Sequence, residues 1–337
     1  MSHPERRRPT IEDVAREADV SRATVSRVLN GGVWVSDDAA ERVRRAIKKT
    51  GYRINVHARS LATRRAGSVA LLLTESHERF FEDPNFSLIM RSASTALAER
   101  ELQLLLILAD TAVEQRRAVD FMTAGHVDGA LLVSGHRDHL DFLDDLLSAE
   151  VPITAVGAPL GFEKRVAYVQ ADDVEGARTM TAYLRDAGRT RIAHIAGPQD
   201  TPGGTGRLAG YRDELGEAFD ERLVAVGDYS RASGAAAMTE LLEGGADFDA
   251  VFVANDLMAA GALEVLASAG RRVPQDVAVA GFDDSPVATQ TDPPLTTMRQ
   301  PFERIAHEMV RVLLEMIEGR SPARVALPTE LVVRGSA

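Results

Sequence analysis

Two kinds of recognition chemistry lie far apart in this chain. Polar residues follow short apolar runs at Thr74-Glu75, Asp110, Ser134, Asn255-Asp256 and Asp283-Asp284. Carboxylates and amides each offer two hydrogen-bonding atoms at the spacing of neighbouring hydroxyls, so such a set suits a polyhydroxylated ligand. Capping of the helices that follow is the other use of Asp and Asn at these places. Near the N-terminus, Arg22, Ala23, Thr24, Ser26 and Arg27 fall together. Arg bridges guanine O6 and N7, and Thr or Ala touches a thymine methyl. Other chemistry is thin. There is no cysteine, which excludes disulfides, thiolate metal sites and a thiol nucleophile. No Gly-rich phosphate loop or nucleophile elbow is present. Asp283 and Asp284, read as an acid/base pair, would point in different directions from one turn. His136 and His139 have a metal-like spacing but no evident third ligand. Neither enzymatic activity, nor a metal, nor a cofactor is expected.

The elements that must hold these residues form a small head and a large body. The formal net charge is −11, but it is unevenly placed. Residues 1–65 carry 15 Lys and Arg against 8 Asp and Glu, an excess of 7 positive charges. The remaining residues carry 24 against 42, an excess of 18 negative charges. A basic head on an acidic body suggests a polyanionic partner for the head alone. Three short helices are expected there. Thr10 opens a capping box, with Ile11, Val14, Ala15 and Ala18 on one face. Asp19-Val20 makes a tight turn. Ser21 caps a second helix with Val25, Val28 and Leu29 inward, and Asn30-Gly31-Gly32 stops it. Ser36 caps a third with Val43, Ala46 and Ile47 inward, ended by Gly51. Helix, short turn and helix make a helix-turn-helix unit, whose second helix enters the major groove. An ordinary three-helix packing unit would show the same pattern. Thr10 and Ser21, at helix N-termini, suit phosphates.

From residue 68, apolar strands alternate with amphipathic helices. Strands are expected at 69–73, 102–108, 129–133, 152–156, 192–195, 250–254 and 277–280, with helices such as 87–100, 113–123 and 257–269. Continuous apolar strands with helical crossovers indicate doubly wound parallel sheets covered on both faces. The stretch is too long for one such sheet, so two lobes are expected. In these sheets ligands bind beyond the carboxyl ends of the strands.

The head resembles the lactose/galactose-repressor (LacI/GalR) family. The segments TIEDVAREADVSRATVSRVLNG and GYRINVHARSLA match its opening in order and spacing. HIAGP, GRLAGYRDEL, FVANDLMAAGAL, VPQDVAVAGFDD, PPLTTMRQP and LPTELVVRGS continue the likeness to the C-terminus. The resemblance implies a helix-turn-helix domain over 1–54, a hinge helix and linker over 55–66, and a periplasmic-binding-protein-like domain over 67–337. The first lobe would span about 67–168 and 299–326, the second about 169–298 and 327–337. The hinge helix would run from Asn55 to Ala62. Leu61 would wedge into the central base step of the minor groove, with Ala58 and Arg59 beside it. Asn30, Trp34, Ser36 and Tyr52 join the expected DNA contacts. Trp34 packs either on the sugar-phosphate backbone or over the third helix. Arg22 would read a G·C pair in each half-site. In the body the resemblance gives Arg207, Asn255 and Asp283 as holders of ligand hydroxyls, Tyr229 as a ring that stacks on a sugar, and Gln300 at the cleft edge. Glu75 and Phe86 are further candidates from the first lobe.

Several segments depart from the family pattern. TESHERFFEDPNF is longer than the usual link, and its Phe80, Phe81 and Phe86 form either a lid or core. Gly157 stands where some members carry a carboxylate, and Gly203-Gly204 replaces polar residues. The resemblance implies a repressor that binds a palindromic double-stranded DNA operator as a homodimer and is released by a small-molecule effector, a sugar or derivative. A corepressor (a nucleobase or a phosphocarrier protein) is the alternative within the family, and a solute-binding protein the alternative outside it. No leucine-rich tail of the kind some members of the family use to tetramerise follows LPTELVVRGS, so a dimer is expected. No transmembrane run and no apolar secretory stretch after MSHPERRRPT are visible, so no membrane contact and a cytoplasmic location are expected.

Overall fold

Thr10 starts the first helix as its sequence predicts. In the computed structural model, which describes residues 9–29, 35–52, 65–245 and 247–337, the Thr10 side chain accepts from Asp13 N while the Asp13 carboxylate accepts from Thr10 N at 2.8 Å. The helix α1 (Ile11–Ala18) ends at Asp19, which adopts the left-handed conformation with φ 50°, a state Asp tolerates better than most residues. The turn leads into α2 (Arg22–Leu29), where Thr24 N donates to Ser21 Oγ at 3.1 Å. Ser36 caps α3 (Asp37–Thr50), and Gly51 ends it at φ 68°. Val14, Ala15, Ala18, Val25, Val43 and Ala46 form the buried core, with Ile11, Val28, Leu29, Ile47 and Tyr52 packed against it. This head, within residues 1–66, is one unit, and residues 67–337 are another. The expected hinge helix, with Asn55, Ala58, Arg59 and Leu61, lies outside the described residues, as do Asn30 and Trp34.

The body contains two six-stranded sheets. The first lobe has β1 (Ser68–Leu73), β2 (Gln103–Leu108), β3 (Ala130–Val133), β4 (Ile153–Val156), β5 (Ala167–Ala171) and β11 (Arg324–Leu327), in the order β11-β5-β4-β3-β1-β2. The second has β6 (Ile192–Ala196), β7 (Val224–Val226), β8 (Ala250–Val253), β9 (Ala278–Asp283), β10 (Thr296–Arg299) and β12 (Glu330–Val332), in the order β12-β10-β9-β8-β6-β7. Every pairing is parallel except that of β10 with β12.

Strand alternation decides which helices cover which face. In the first lobe Val69, Leu71 and Leu73 pack toward α5 (Pro84–Ala98) and α12 (Phe302–Ile317). Ala70 and Leu72 pack the other way, with Ala118 of α6 (Ala112–Phe121) and Leu143 of α7 (Phe142–Ser148). In the second lobe Val251 and Val253 join Met238 of α10 (Arg231–Glu243) and Met258 of α11 (Asp256–Ser268). Ala250 and Phe252 join Met180 of α8 (Asp173–Asp186) and Tyr211 of α9 (Pro202–Leu215).

Five strands escape the sequence pattern: β5, β7, β10, β11 and β12. β7 and β12 have 3 residues each, too few for a periodic signal, and β10 reads TTMR. The crossovers follow from these strands. They fall at Asp172, Gln300-Pro301 and Pro328-Thr329, slightly later than the expected points near 168, 298 and 326. A short extra helix, α4 (His77–Glu82), fills the long segment after β1.

Candidate functional site

The two sheets turn their carboxyl ends toward a common cleft. Its walls are the last residues of strands and those just beyond: Val133-Ser134 after β3, Val156-Gly157 after β4, Tyr229 after β7, Asn255 after β8 and Asp283 at the end of β9. The cleft leaves about 150 Å³ that the centre of a water molecule can reach. Three wall residues, Ser134, Tyr229 and Asp283, hold positive φ of 59°, 72° and 112°. Such conformations are costly for residues with a Cβ and concentrate at functional sites.

Asp283 is the centre of the polar wall. Its Oδ1 accepts from Gln300 Nε2 at 2.6 Å and its Oδ2 from Asn85 Nδ2 at 2.9 Å. Arg207 Nη1 lies 3.6 Å from Oδ1. Asn85 belongs to the first lobe and Arg207 to the second, so one carboxylate is gripped from both sides. Burial pushes Asp283 up to about 7 despite the nearby Arg207 cation. Arg207 also donates through Nε to Asp173 at 2.8 Å and through Nη1 to the Ala254 carbonyl at 2.5 Å, and its guanidinium stacks 4.0 Å from the Phe282 ring centre. Burial works against its charge, but Asp173, Tyr229 and Asp283 more than offset this and raise its pKa. Asn255 caps α11 by accepting from Met258 N at 2.9 Å and holds Tyr229 by donating to its carbonyl at 3.0 Å. Both uses foreseen for that Asn, cap and cleft wall, are therefore met by one side chain. The Tyr229 ring lies on Gly197, where a Cβ would stand 2.5 Å from ring atoms.

The other expected positions sort differently. Phe86 is buried and lines the cleft, Phe80 is core, and Phe81 is 80% exposed. Glu75 is not on the wall. It sits behind it, accepting from Ser134 Oγ and His136 Nε2 and pairing with Arg79. Its neighbours Ser134 and Arg79 are wall residues in its place. Gly157 has φ 74°, and a Cβ there would meet Pro202 at 2.8 Å, which leaves no room for a carboxylate at that position. Arg79, Asp83, Asn85, Asp173, Gln170 and Phe302 line the cleft without having been foreseen. Arg79, Asp83 and Asn85 come from the lengthened segment after β1, whose extra length was the available signal. His136 and His139 do not converge on a metal; among the described residues no cluster of His, Asp and Glu is arranged to hold one. Asp283 and Asp284 diverge, the first into the cleft and the second to Arg299 and Arg334.

On the head, Ser21, Arg22, Ala23 and Arg27 are exposed, Thr24 and Ser26 half-buried. Arg22 Nε pairs with Glu12 of α1 at 3.4 Å, a contact between two exposed side chains. The Thr10 hydroxyl is committed to Asp13 at 2.9 Å, so the capping box uses the group expected to meet a phosphate. Ser36 is exposed at its cap, and Tyr52 is half-buried against the core.

Residues 10–55 match the family of bacterial regulatory proteins of the lacI type, and residues 181–337 match the periplasmic binding protein-like domain. The HTH-type transcriptional regulator CelR of Thermobifida fusca is 47% identical over 98% of this chain and 99% of its own. The chain belongs to the LacI family. A solved CelR–cellobiose complex is 45% identical with a TM-score of 0.78, covering 98% of this chain and 100% of that one. A lac repressor dimer bound to operator and the anti-inducer ONPF is 27% identical with a TM-score of 0.84, covering 98% and 99%. This LacI-family chain is thus a helix-turn-helix transcriptional regulator and not an enzyme. No helix among its described residues is long and apolar enough to cross a membrane.

Proposed function

We propose that this regulator is a cytoplasmic repressor that grips a palindromic operator as a homodimer and lets go when an uncharged sugar fills the cleft. The observation that carries the sugar reading is the pairing of charges at the cleft. The wall holds two cations, Arg79 and Arg207, and three carboxylates, Asp83, Asp173 and Asp283. Both guanidiniums are already bound, Arg79 to Glu75 at 3.2 Å and Arg207 to Asp173 at 2.8 Å. A phosphorylated ligand would find no uncommitted cation. Sugar hydroxyls instead match amides and carboxylates such as Gln170, Asn255 and Asp283, and Tyr229 and Phe86 offer faces for the ring. The cellobiose complex of CelR makes a β-linked glucose disaccharide the first effector to test.

A two-fold dimer follows from half-site geometry, since one recognition helix reads one half-site. The first lobe offers a surface for it. β2 is an edge strand, its Leu106 is exposed, and Val113 and Phe121 of α6 are exposed beside it. An open apolar edge is a pairing surface unless covered. In this reading Arg22, Ala23, Thr24, Ser26, Arg27 and Asn30 face bases. Thr10, Ser21, Trp34, Ser36, Tyr52 and Asn55 contact the backbone, and Leu61 is the minor-groove wedge flanked by Ala58 and Arg59.

The test is operator retention with and without cellobiose and cellobiose 6-phosphate. Release by the neutral sugar alone is expected. Release by the phosphate alone would overturn the uncharged-ligand reading, and tighter binding with either sugar would reverse the sign of control.

A further inference from the structure

Glu75 is buried and touches no open space in the cleft, yet three groups converge on it. Its Oε1 accepts from Ser134 Oγ at 2.5 Å and from His136 Nε2 at 3.1 Å. Its Oε2 pairs with Arg79 Nε at 3.2 Å. Burial opposes a charge there, but His136, Arg79 and Ser134 together hold its carboxyl below the usual range. Both cationic partners then reach across to the other lobe. His136 Nδ1 meets Asp200 Oδ2 at 2.8 Å, next to a backbone bond from Arg137 N to the Asp200 carbonyl at 2.9 Å. Arg79 Nη1 donates to the Asp228 carbonyl at 2.9 Å, and its guanidinium lies 5.2 Å from the centre of the Tyr229 ring. The two loops so held follow β6 and β7, and they carry Thr201 and Tyr229 to the wall.

We propose that Glu75 is a positioning residue that clasps the second lobe through two arms, His136 and Arg79, and so ties the filling of the cleft to lobe closure. The inference rests on the effector-cleft reading above and adds its coupling device. Ser134 and Arg79 are two of the three groups that fix Glu75, so an effector touching either one touches the clasp. Its binding is therefore felt at Asp200 and Asp228, residues it need not reach. Among the described residues the two arms meet at the Glu75 carboxylate, and Arg79 has a second, longer pairing with Asp83 at 3.7 Å, so removing the Glu75 charge loosens both arms, while removing one partner loosens one.

The test uses the full chain with one label on each lobe. The sequence has no cysteine, so Asp141→Cys and Glu240→Cys, both exposed, provide the only thiols for spin labels. The inter-label distance is measured in the parent and in Glu75→Gln, His136→Gln and Asp200→Asn. The expected result is a shift to longer, broader distances in the two single-arm variants and a larger shift in Glu75→Gln. Cellobiose affinity should fall on the order of tenfold in each single-arm variant, as for a lost charge-assisted bond. An unchanged distance distribution in a folded Glu75→Gln protein would overturn the proposal. If that variant does not fold, the double variant His136→Gln with Asp200→Asn decides. Both changes cut one contact, so its shift should equal that of either alone, and additive shifts would overturn the clasp. A merely structural role would lower the melting temperature and leave the distances in place. If the parent binds no sugar, the sugar reading fails, and the distances still decide the clasp.

Discussion

On the head, Arg22, Ala23 and Arg27 stand in solvent on α2. In the cleft, Arg207, Asn255 and Asp283 are buried, and each is already hydrogen-bonded to protein. A solvated side chain is free to search for a base edge, and changing it leaves the fold alone. A buried polar side chain is part of the fold, so its loss removes recognition and leaves a partner unsatisfied. The head separates specificity from stability. The cleft joins them, and its strained Ser134, Tyr229 and Asp283 backbones show the cost carried by the surrounding packing.

Asp283→Asn should show the joining most strongly. The amide keeps the shape but turns one of the two acceptor oxygens into an NH2 group, which cannot accept from Gln300 or Asn85. Effector affinity should fall by about 2 kcal/mol, on the order of thirtyfold, since a buried donor of the wall is left without its acceptor. The melting temperature of the body should fall as well, while unliganded operator affinity stays near that of the parent. Titration calorimetry with cellobiose and calorimetric melting check both. An unchanged melting temperature would mean that this cleft residue behaves like one of the head. Arg22→Ala is the counterpart. It should cost about 1–3 kcal/mol of discrimination at one base pair per half-site with no change in melting. Selection from randomised half-sites measures the first and a thermal scan the second.

The same contrast explains how much was legible in the sequence. Capping boxes, the Asp19 turn and the Gly51 stop act within a few residues, so the head could be read locally. The parallel sheets showed in apolar runs such as SVALLL. The cleft was legible where single residues carry a polar group past a strand, as at Asn255 and Asp283. It was not legible where partners come from distant segments. Asp200 follows His136 by 64 residues and Asp283 follows Asn85 by 198. The spacing of His136 and His139 likewise gave no hint that the first ring spans two lobes. The sequence puts Glu75 past β1 but does not show that Ser134 and Arg79 stand between it and the cleft wall.

A pH titration sharpens the comparison within the cleft. The bond to Glu75 and the charge of Asp200 push His136 up to about 9 from an ordinary 6.5, against the effect of burial. The groups facing it are Glu75 beyond β1, Asp200 beyond β6, Ser134, and the His139 ring at 6.5 Å, with Arg79 on the far side of Glu75. A raised folded-state pKa means the clasp contributes fully below about 6.5 and is lost as pH rises through about 9. Melting of the body should therefore fall between pH 7 and 10 more steeply in the parent than in His136→Gln. Parallel profiles would show that the imidazole carries no charge in the folded protein.

The smallest effect is expected on the head. Glu12 and Arg22 are both exposed, and their pair at 3.4 Å belongs to a class that adds little to stability. Glu12 nevertheless places a negative charge on the face that must meet phosphates, and it holds the arginine that must meet a base. Glu12→Gln should leave melting unchanged and raise affinity for random DNA by a factor below about five, an effect that shrinks as salt rises. Its influence on the operator depends on what the pair does. If Glu12 only attracts Arg22 away from DNA, specific and random affinity rise together. If it pre-orients Arg22 toward its base, specific affinity rises less than random affinity, and discrimination at the base pair read by Arg22 relaxes. Measuring both affinities at two salt concentrations separates these outcomes. A gain confined to random DNA would show that the head, too, has one residue whose recognition depends on a bond made before the partner arrives.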